Sequence, residues 1–440
     1  MELRDIFVTP VVIILVLMAA YFIRPIITDK NTRRYFFPSL LLKVFAAIAL
    51  GIIYQFYYSG GDTFNYHTHG SRIIWEAFTD DFSLGFKLLF SNGDLIHGTY
   101  KYTSRILFYG DLPSFAVVRI AAFFDLFTFS TYSATAVLFS VVSFIGGWAM
   151  FLTFYRKYPH LHFRIAIATL FIPSVVFWGS GILKDSIVLA CLGMSIYGID
   201  RIFFQRKIKL LTILILLISL FTIFTIRKFV LQAFIPSVAL WVYFNHLVRI
   251  RSTVLKILIA PIIASMFLFT VYYSINKIGE GDRKYSVDKL AETARITAYD
   301  IGFYTGENAG SSYSLGSFDN SFSSMLRLAP QAVNVALFRP YPWEVRNPLM
   351  LLSALESLFF LVSTIYLLIK LRFSFKAFFG NADTSFCFIF AITFAFAVGI
   401  SSYNFGTLDR YKIPLLPFYL LWLILTLDQK TNVTNEKTLS

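Results

Sequence analysis

The sequence predicts an all-α protein: a polytopic transmembrane helix bundle of about eleven spans, with interfacial helices in two long outer segments. Three observations carry that prediction. Of 440 residues, 57% are hydrophobic and only 15% charged, with a mean hydropathy of +0.66, whereas a soluble domain averages roughly 25% charged residues. The apolar residues fall into runs long enough to cross a bilayer. The short connections between runs are alternately basic, as cytoplasmic loops are.

The first span, 7–27, carries no small-residue cleavage signal and reads as a full-length span rather than a removable leader. It is followed by Asp29-Lys30-Asn31-Thr32-Arg33-Arg34, whose basic residues place that loop in the cytoplasm and the N-terminus outside. The second span is 36–57, with Lys43 expected to snorkel toward the cytoplasmic side. Residues 58–130 form an outer segment too charged to cross. Its amphipathic pieces at 71–90 and 99–108, and the apolar piece 115–129 interrupted by Arg119 and Asp125, read as helices lying at the interface.

Spans three to seven follow at 131–155, 163–180, 186–204, 210–226 and 229–247. The third ends at Arg156-Lys157, the fifth at Arg206-Lys207-Ile208-Lys209 and the seventh at Arg249-Ile250-Arg251. The eighth, 254–274, opens onto a second outer segment, 275–347. Within it, 279–300 mixes acids and bases, and 303–325 is rich in Gly, Ser, Asn and Tyr, the composition of a mobile lid. The stretch Phe338-Arg339-Pro340-Tyr341-Pro342-Trp343-Glu344 then makes a stiff lead into the ninth span, 348–369. The tenth is 384–401 and the eleventh 411–427, which puts the C-terminus in the cytoplasm. No repeat or appended soluble domain is visible, so residues 1–440 read as one integral membrane domain.

The net charge of +14 belongs to the cytoplasmic loops of such a protein. Nucleic acid is excluded as a partner, because no soluble basic module is present to carry it. Cys191 and Cys387 both sit inside apolar runs, which argues against a structural disulfide or a cysteine metal site.

Chemistry concentrates in Ser59-Gly60-Gly61-Asp62-Thr63-Phe64-Asn65-Tyr66-His67-Thr68-His69-Gly70-Ser71-Arg72, immediately after the second span. Gly60-Gly61 lets the backbone turn. Asp62 then fits the N-cap of the next helix, with Tyr66 and His69 on the same face. An ordinary capped interfacial helix would need no more than this. The function is argued from the company the stretch keeps: Lys184-Asp185, Arg227-Lys228, Arg339 with Trp343 and Glu344, and Asp409-Arg410-Tyr411-Lys412. All abut apolar runs, where a charge needs a partner or a polar cavity. Arg and Lys gathered there suit an anion such as a lipid phosphate. Asp62, His67 and His69 could instead supply three metal ligands, but the spacing is not a zinc signature, so no cofactor is assigned and a divalent metal stays an alternative. A channel or carrier is disfavoured by the scarcity of acids within the spans.

Taken in order, an outer Asp after an early span (Gly61-Asp62-Thr63-Phe64-Asn65-Tyr66), interfacial helices, Arg119, and Arg410-Tyr411-Lys412-Ile413-Pro414-Leu415-Leu416-Pro417 before the last span make a pattern. It resembles the GT-C superfamily of polytopic glycosyltransferases over roughly 50–155 and 400–425. The resemblance implies a lipid-phosphate-linked sugar donor, a glycan or lipid acceptor, surrounding membrane lipids as further partners, and Asp62 as the catalytic carboxylate. It also implies a place in a bacterial inner membrane. The chain departs from the family in having its Asp after the second span and no second acid beside it. Chemically, a carboxylate can take the acceptor's proton, and Arg227, Arg339, Arg410 and Lys412 can hold the leaving phosphate. Tyr66, His67, His69, Arg72, Lys184, Asp185, Lys228, Trp343 and Glu344 complete the expected substrate-binding set. An oligosaccharide repeat-unit polymerase of the O-antigen type, or a flippase for lipid-linked glycans, would share the same architecture.

Overall fold

The computed structural model describes residues 2–249, 312–315, 322–372, 374 and 378–439, and a few single positions between 265 and 299. The expected eighth span and most of 279–300 and 303–325 lie outside the described residues. Among those described, the regular elements are all helical. The chain forms two compact units, Met1–Arg227 and Lys228–Ser440.

In the first unit, α1 (Leu3–Ile27) and α2 (Arg33–Phe56) are followed by α3 (Asp62–Tyr66), which runs through a π-turn, His67–Ser71, into α4 (Arg72–Asp80). Next come α5 (Phe82–Leu89), α6 (Tyr100–Thr103) and α7 (Leu112–Thr128). The long helix α8 (Tyr132–Lys157) precedes α9 (His162–Leu170), α10 (Pro173–Trp178), α11 (Lys184–Ile199) and α12 (Leu210–Ile226).

The α8–α11 pair is the unit's spine, and small residues make it possible. A Cβ on Gly193 would run into the backbone of Gly146, and one on Gly146 into the backbone of Ala190. Glycine at both positions therefore lets the two backbones approach closely, as in other intramembrane helix pairs. At the far end of α11, the guanidinium of Arg156 pairs with the buried carboxylate of Asp200, which also accepts from Gln205 at 2.7 Å. Helix α7 is buried along Phe115, Val117, Val118, Ala121 and Ala122. Its other face exposes Leu112, Phe123 and Phe127. Likewise, α5 exposes Phe82 and Phe86, with Phe90 just beyond its end, in keeping with an amphipathic interfacial helix.

Two expectations are corrected here. The fourth span is not continuous, because it breaks between α9 and α10. Ile172 stands in the extended region (φ −66°, ψ 123°) before Pro173 at the first turn of α10; a residue before proline is pushed out of the helical region. Nor does Lys43 snorkel. It is buried, and its ammonium donates to Ser143 Oγ (3.0 Å), Val175 O (3.0 Å) and Gly179 O (2.9 Å).

In the second unit, α13 (Lys228–Arg249) leads to Ala329–Phe338, Pro348–Lys370 and Ala382–Ser402. Helices 329–338 and 382–402 touch at Gly399, where a Cβ would meet the backbone of Ala332. Trp241 stacks on Phe386 (4.5 Å between centroids, 12°), and its indole N–H donates to Asp383 at 2.6 Å. The last predicted span is bent by 66° between Phe405–Tyr411 and Leu416–Gln429. Pro414 lies at the bend and supplies no N–H to continue the helix.

Among the described residues, seven helices are long and apolar enough to cross a membrane, eight if the bent pair counts as one. The 17-residue α12 falls just short in length. The chain is a multi-pass membrane protein of all-α architecture.

Candidate functional site

In the first unit, the starts of α3, α7 and α11 and the end of α12 bring charged residues together. Arg227 closes α12, and its Nη2 pairs with Oδ1 of the fully buried Asp185 at 2.6 Å. Next to Asp185, the Lys184 ammonium lies 3.7 Å from Asp111 at the head of α7. The carboxylates of Asp111, Asp62 and Asp185 and the guanidinium of Arg227 all act electrostatically on Lys184. Four of the expected site residues, Asp62, Lys184, Asp185 and Arg227, therefore share one neighbourhood. Asp111 joins them without having been singled out in the sequence.

The geometry around Asp62 differs from the sequence expectation. Gly61, at φ 127°, is the residue that caps α3, and Asp62 is the first helical residue. A side chain on Gly61 would strike the ring of Tyr54 at 2.8 Å, so this turn needs glycine for both conformation and space. Asp62, Tyr66 and His69 do not share a face either. The π-turn inserts an extra residue, and His69 sits at a kink (φ −100°, ψ 18°). Tyr66 is buried against Phe108, whereas the His69 ring is exposed.

His67 turns inward. It is fully buried, with Nε2 3.5 Å from Asp125 Oδ1 and its ring edge-on to Tyr132. The Thr135 hydroxyl donates to the same Asp125 oxygen at 2.6 Å. Tyr132 also stacks on Phe64 at 4.4 Å and shares a 2.8 Å hydrogen bond with Thr63. His67 is thereby a member of a buried network beneath the Asp62 helix rather than a surface ligand. Among the described residues no group of three or more His, Cys, Asp or Glu side chains is placed to hold a metal ion; Asp62, His67 and His69 are not brought together as a ligand set. Arg72 points away, to Glu2 at 2.6 Å and to the Ser130 carbonyl at 3.4 Å. Arg119 donates to Ser91 O at 2.9 Å.

The second unit assembles its residues differently. Arg339 forms a two-pronged pair with Glu344, whose carboxylate also accepts from Tyr341 N–H at 2.8 Å. Burial works to raise the Glu344 carboxyl, but the hydrogen bonds from Arg339 and Tyr341 outweigh it and hold it below its usual value. The guanidinium lies over Phe405 (5.3 Å), Tyr313 (5.8 Å) and Tyr341 (5.9 Å). Trp343, 80% exposed, stacks on Tyr341 at 4.9 Å. Lys412 pairs with Asp409 at 2.9 Å and reaches Ser357 Oγ at 3.4 Å, and Ser357 donates to Arg339 O at 3.0 Å. Lys228 heads α13, and Arg410 lies in the short helix Phe405–Tyr411.

Sequence reading passed over Asp111 and Ser357, gave Asp125 no role and sent Lys43 to the cytoplasmic side. Of these, Asp125 and Lys43 carried a usable signal: an ionisable side chain inside an apolar run must find a partner. Asp111 and Ser357 had none, since their importance lies wholly in what folds next to them. No family model, curated protein or solved structure matches the chain.

Proposed function

We propose that the chain is a membrane glycosyltransferase. It moves a sugar from a polyprenyl-phosphate-type donor to an acceptor hydroxyl at the outer membrane face, in assembly of cell-envelope polysaccharide or glycolipid. The observation that supports this most is the grouping of Asp62 with Lys184 and Arg227 in the first unit. Asp62 takes the proton of the acceptor hydroxyl. The hydroxyl oxygen bonds to the sugar's anomeric carbon as the bond from that carbon to phosphate oxygen breaks. The phosphate leaves with the electron pair, and Lys184 and Arg227 stabilise the charge it gains. Asp185 keeps Arg227 in place.

The GT-C resemblance supplies the donor class and a bacterial inner membrane. The basic bias of alternate loops supplies the orientation, N-terminus outside and C-terminus in the cytoplasm. A second reading, a flippase of lipid-linked glycans, draws on the broken α9–α10 helix, since transporters use broken helices around their substrates. One experiment separates the two. The full-length protein is reconstituted in liposomes with a panel of radiolabelled polyprenyl-phosphate sugars. Release of polyprenyl phosphate with label passing to an acceptor supports transfer. Intact donor crossing the bilayer supports the flippase instead.

A further inference from the structure

The segment that delivers Lys184 and Asp185 to the charge cluster is not a helix. Residues 179–183 form a turn between the six-residue α10 and α11. Behind it, Gly181 O accepts from Leu183 N at 2.8 Å and from Ser186 Oγ at 2.7 Å. In front of it stands α2, which presents a buried row at helical spacing: Lys43, Ala47, Leu50 and Tyr54, residues i, i+4, i+7 and i+11. Each of the larger ones touches the segment. Lys43 bonds the carbonyls of Val175 and Gly179. Leu50 packs where a side chain on Gly181 would otherwise go, and Tyr54 meets Trp178 edge-on. At the top of the row, Tyr54 O accepts from Gly60 N at 2.8 Å, just before Asp62.

Among these contacts the lysine is the one that packing does not explain. An ammonium in an apolar interior is tolerated only when its donors are met. Lys43 meets its three N–H groups with two carbonyls from the end of α10 and with Ser143. It has no carboxylate partner among the described residues. A helix C-terminus carries partial negative charge, which a cation complements. The ammonium thus ties down two carbonyls at the end of a broken helix.

We propose that Lys43 is a positioning residue for the charge cluster: held inside α2, its ammonium clamps the end of α10 and so fixes the 179–183 turn that presents Lys184 and Asp185. One stripe of α2 then sets both sides of the site, the Asp62 turn through Tyr54 and the Lys184–Asp185 turn through Lys43. The role in catalysis rests on the transferase reading above; the clamp itself does not.

Thiol labelling of the full-length protein in detergent tests it. In a Cys191→Ser, Cys387→Ala background, a single cysteine replaces Ser180 in the turn or Ser140 in α8, both fully buried. Lys43→Met, similar in length but without donors, is expected to raise maleimide labelling at 180 by about ten-fold or more while 140 stays protected. Equal protection of 180 with and without Lys43 overturns the clamp. Should Lys43→Met expose both sites, Lys43→Ala with added propylamine decides, because the amine restores the missing ammonium. Protection returning at 180 upholds the clamp, and unchanged labelling overturns it. Transfer measured on the same proteins separates the two claims. Full transfer by Lys43→Met with 180 exposed overturns the positioning role. No transfer by the native chain, with labelling at 180 still dependent on Lys43, overturns the transferase reading and leaves the clamp.

Discussion

The two units assemble their charged residues in opposite ways. In the second, partners come from the same short stretch: Arg339 with Glu344, Lys412 with Asp409. In the first, they come from far apart in the chain: Arg227 with Asp185, Lys184 with Asp111. A local pair forms wherever its segment adopts its turn or helix. A long-range pair exists only once several helices have packed, so its loss is felt by the whole unit. The difference also separates roles, since in the proposed chemistry the long-range cluster acts on the reacting atoms. The local pairs stiffen the short segments that carry them.

The largest effect is expected where a long-range buried pair is broken. Asp185→Asn leaves the Arg227 guanidinium buried without its charge partner, and such a loss costs about 3–5 kcal/mol. The thermal midpoint of the purified protein should fall sharply. Replacing both residues by leucine should recover most of that stability, since apolar pairs often substitute for buried ion pairs, yet leave transfer abolished. Recovery of transfer together with stability would remove Arg227 from the chemistry.

A smaller effect is expected in the second unit. Arg410→Lys keeps a positive charge but loses the planar fork that grips phosphate. The donor KM should rise by about three- to ten-fold with kcat little changed. A fall in kcat at constant KM would place Arg410 with the reacting atoms instead and erase the contrast between the units.

The smallest effect is a pH dependence. The hydrogen bonds from Arg339 and Tyr341 hold the Glu344 carboxyl below its ordinary value, so its pairing contributes stability above the unfolded value. That contribution is lost as pH falls through the lowered folded value. Thermal midpoints measured from neutral pH down past 4.5 should therefore decline less steeply for Glu344→Gln than for the native chain. Parallel curves would mean that the pair adds nothing to stability.

The span pattern was legible because it depends on composition within single helices: ten of the eleven expected spans coincide with helices or helix pairs among the described residues, and the remaining one lies outside them. Where the reading failed, the cause was local backbone chemistry. Pro173 breaks a run whose hydropathy is continuous, and a π-turn at His67–Ser71 rotates His69 off the face that helical counting gave it. Asp62 was singled out from its place after an apolar run, but that it and Asp111 both act on Lys184 was invisible, since nothing in the chain links position 62 to 111. Lys43 was misread for a related reason. Snorkelling is the solution for a lysine that faces lipid, and the sequence does not say that a broken helix ends beside this one.

The account turns on whether Asp62 takes a proton. The direct measurement is turnover of the reconstituted Asp62→Asn protein with a polyprenyl-phosphate sugar, at matched amount and folded state. Asparagine keeps the size of the side chain at the head of α3 and removes only its charge and basicity. If Asp62 is the base, turnover falls by about two to four orders of magnitude, while donor binding and the thermal midpoint stay near native values. Turnover within a few-fold of native would contradict the account, reducing the Gly60–Arg72 stretch to a structural turn beneath a different site.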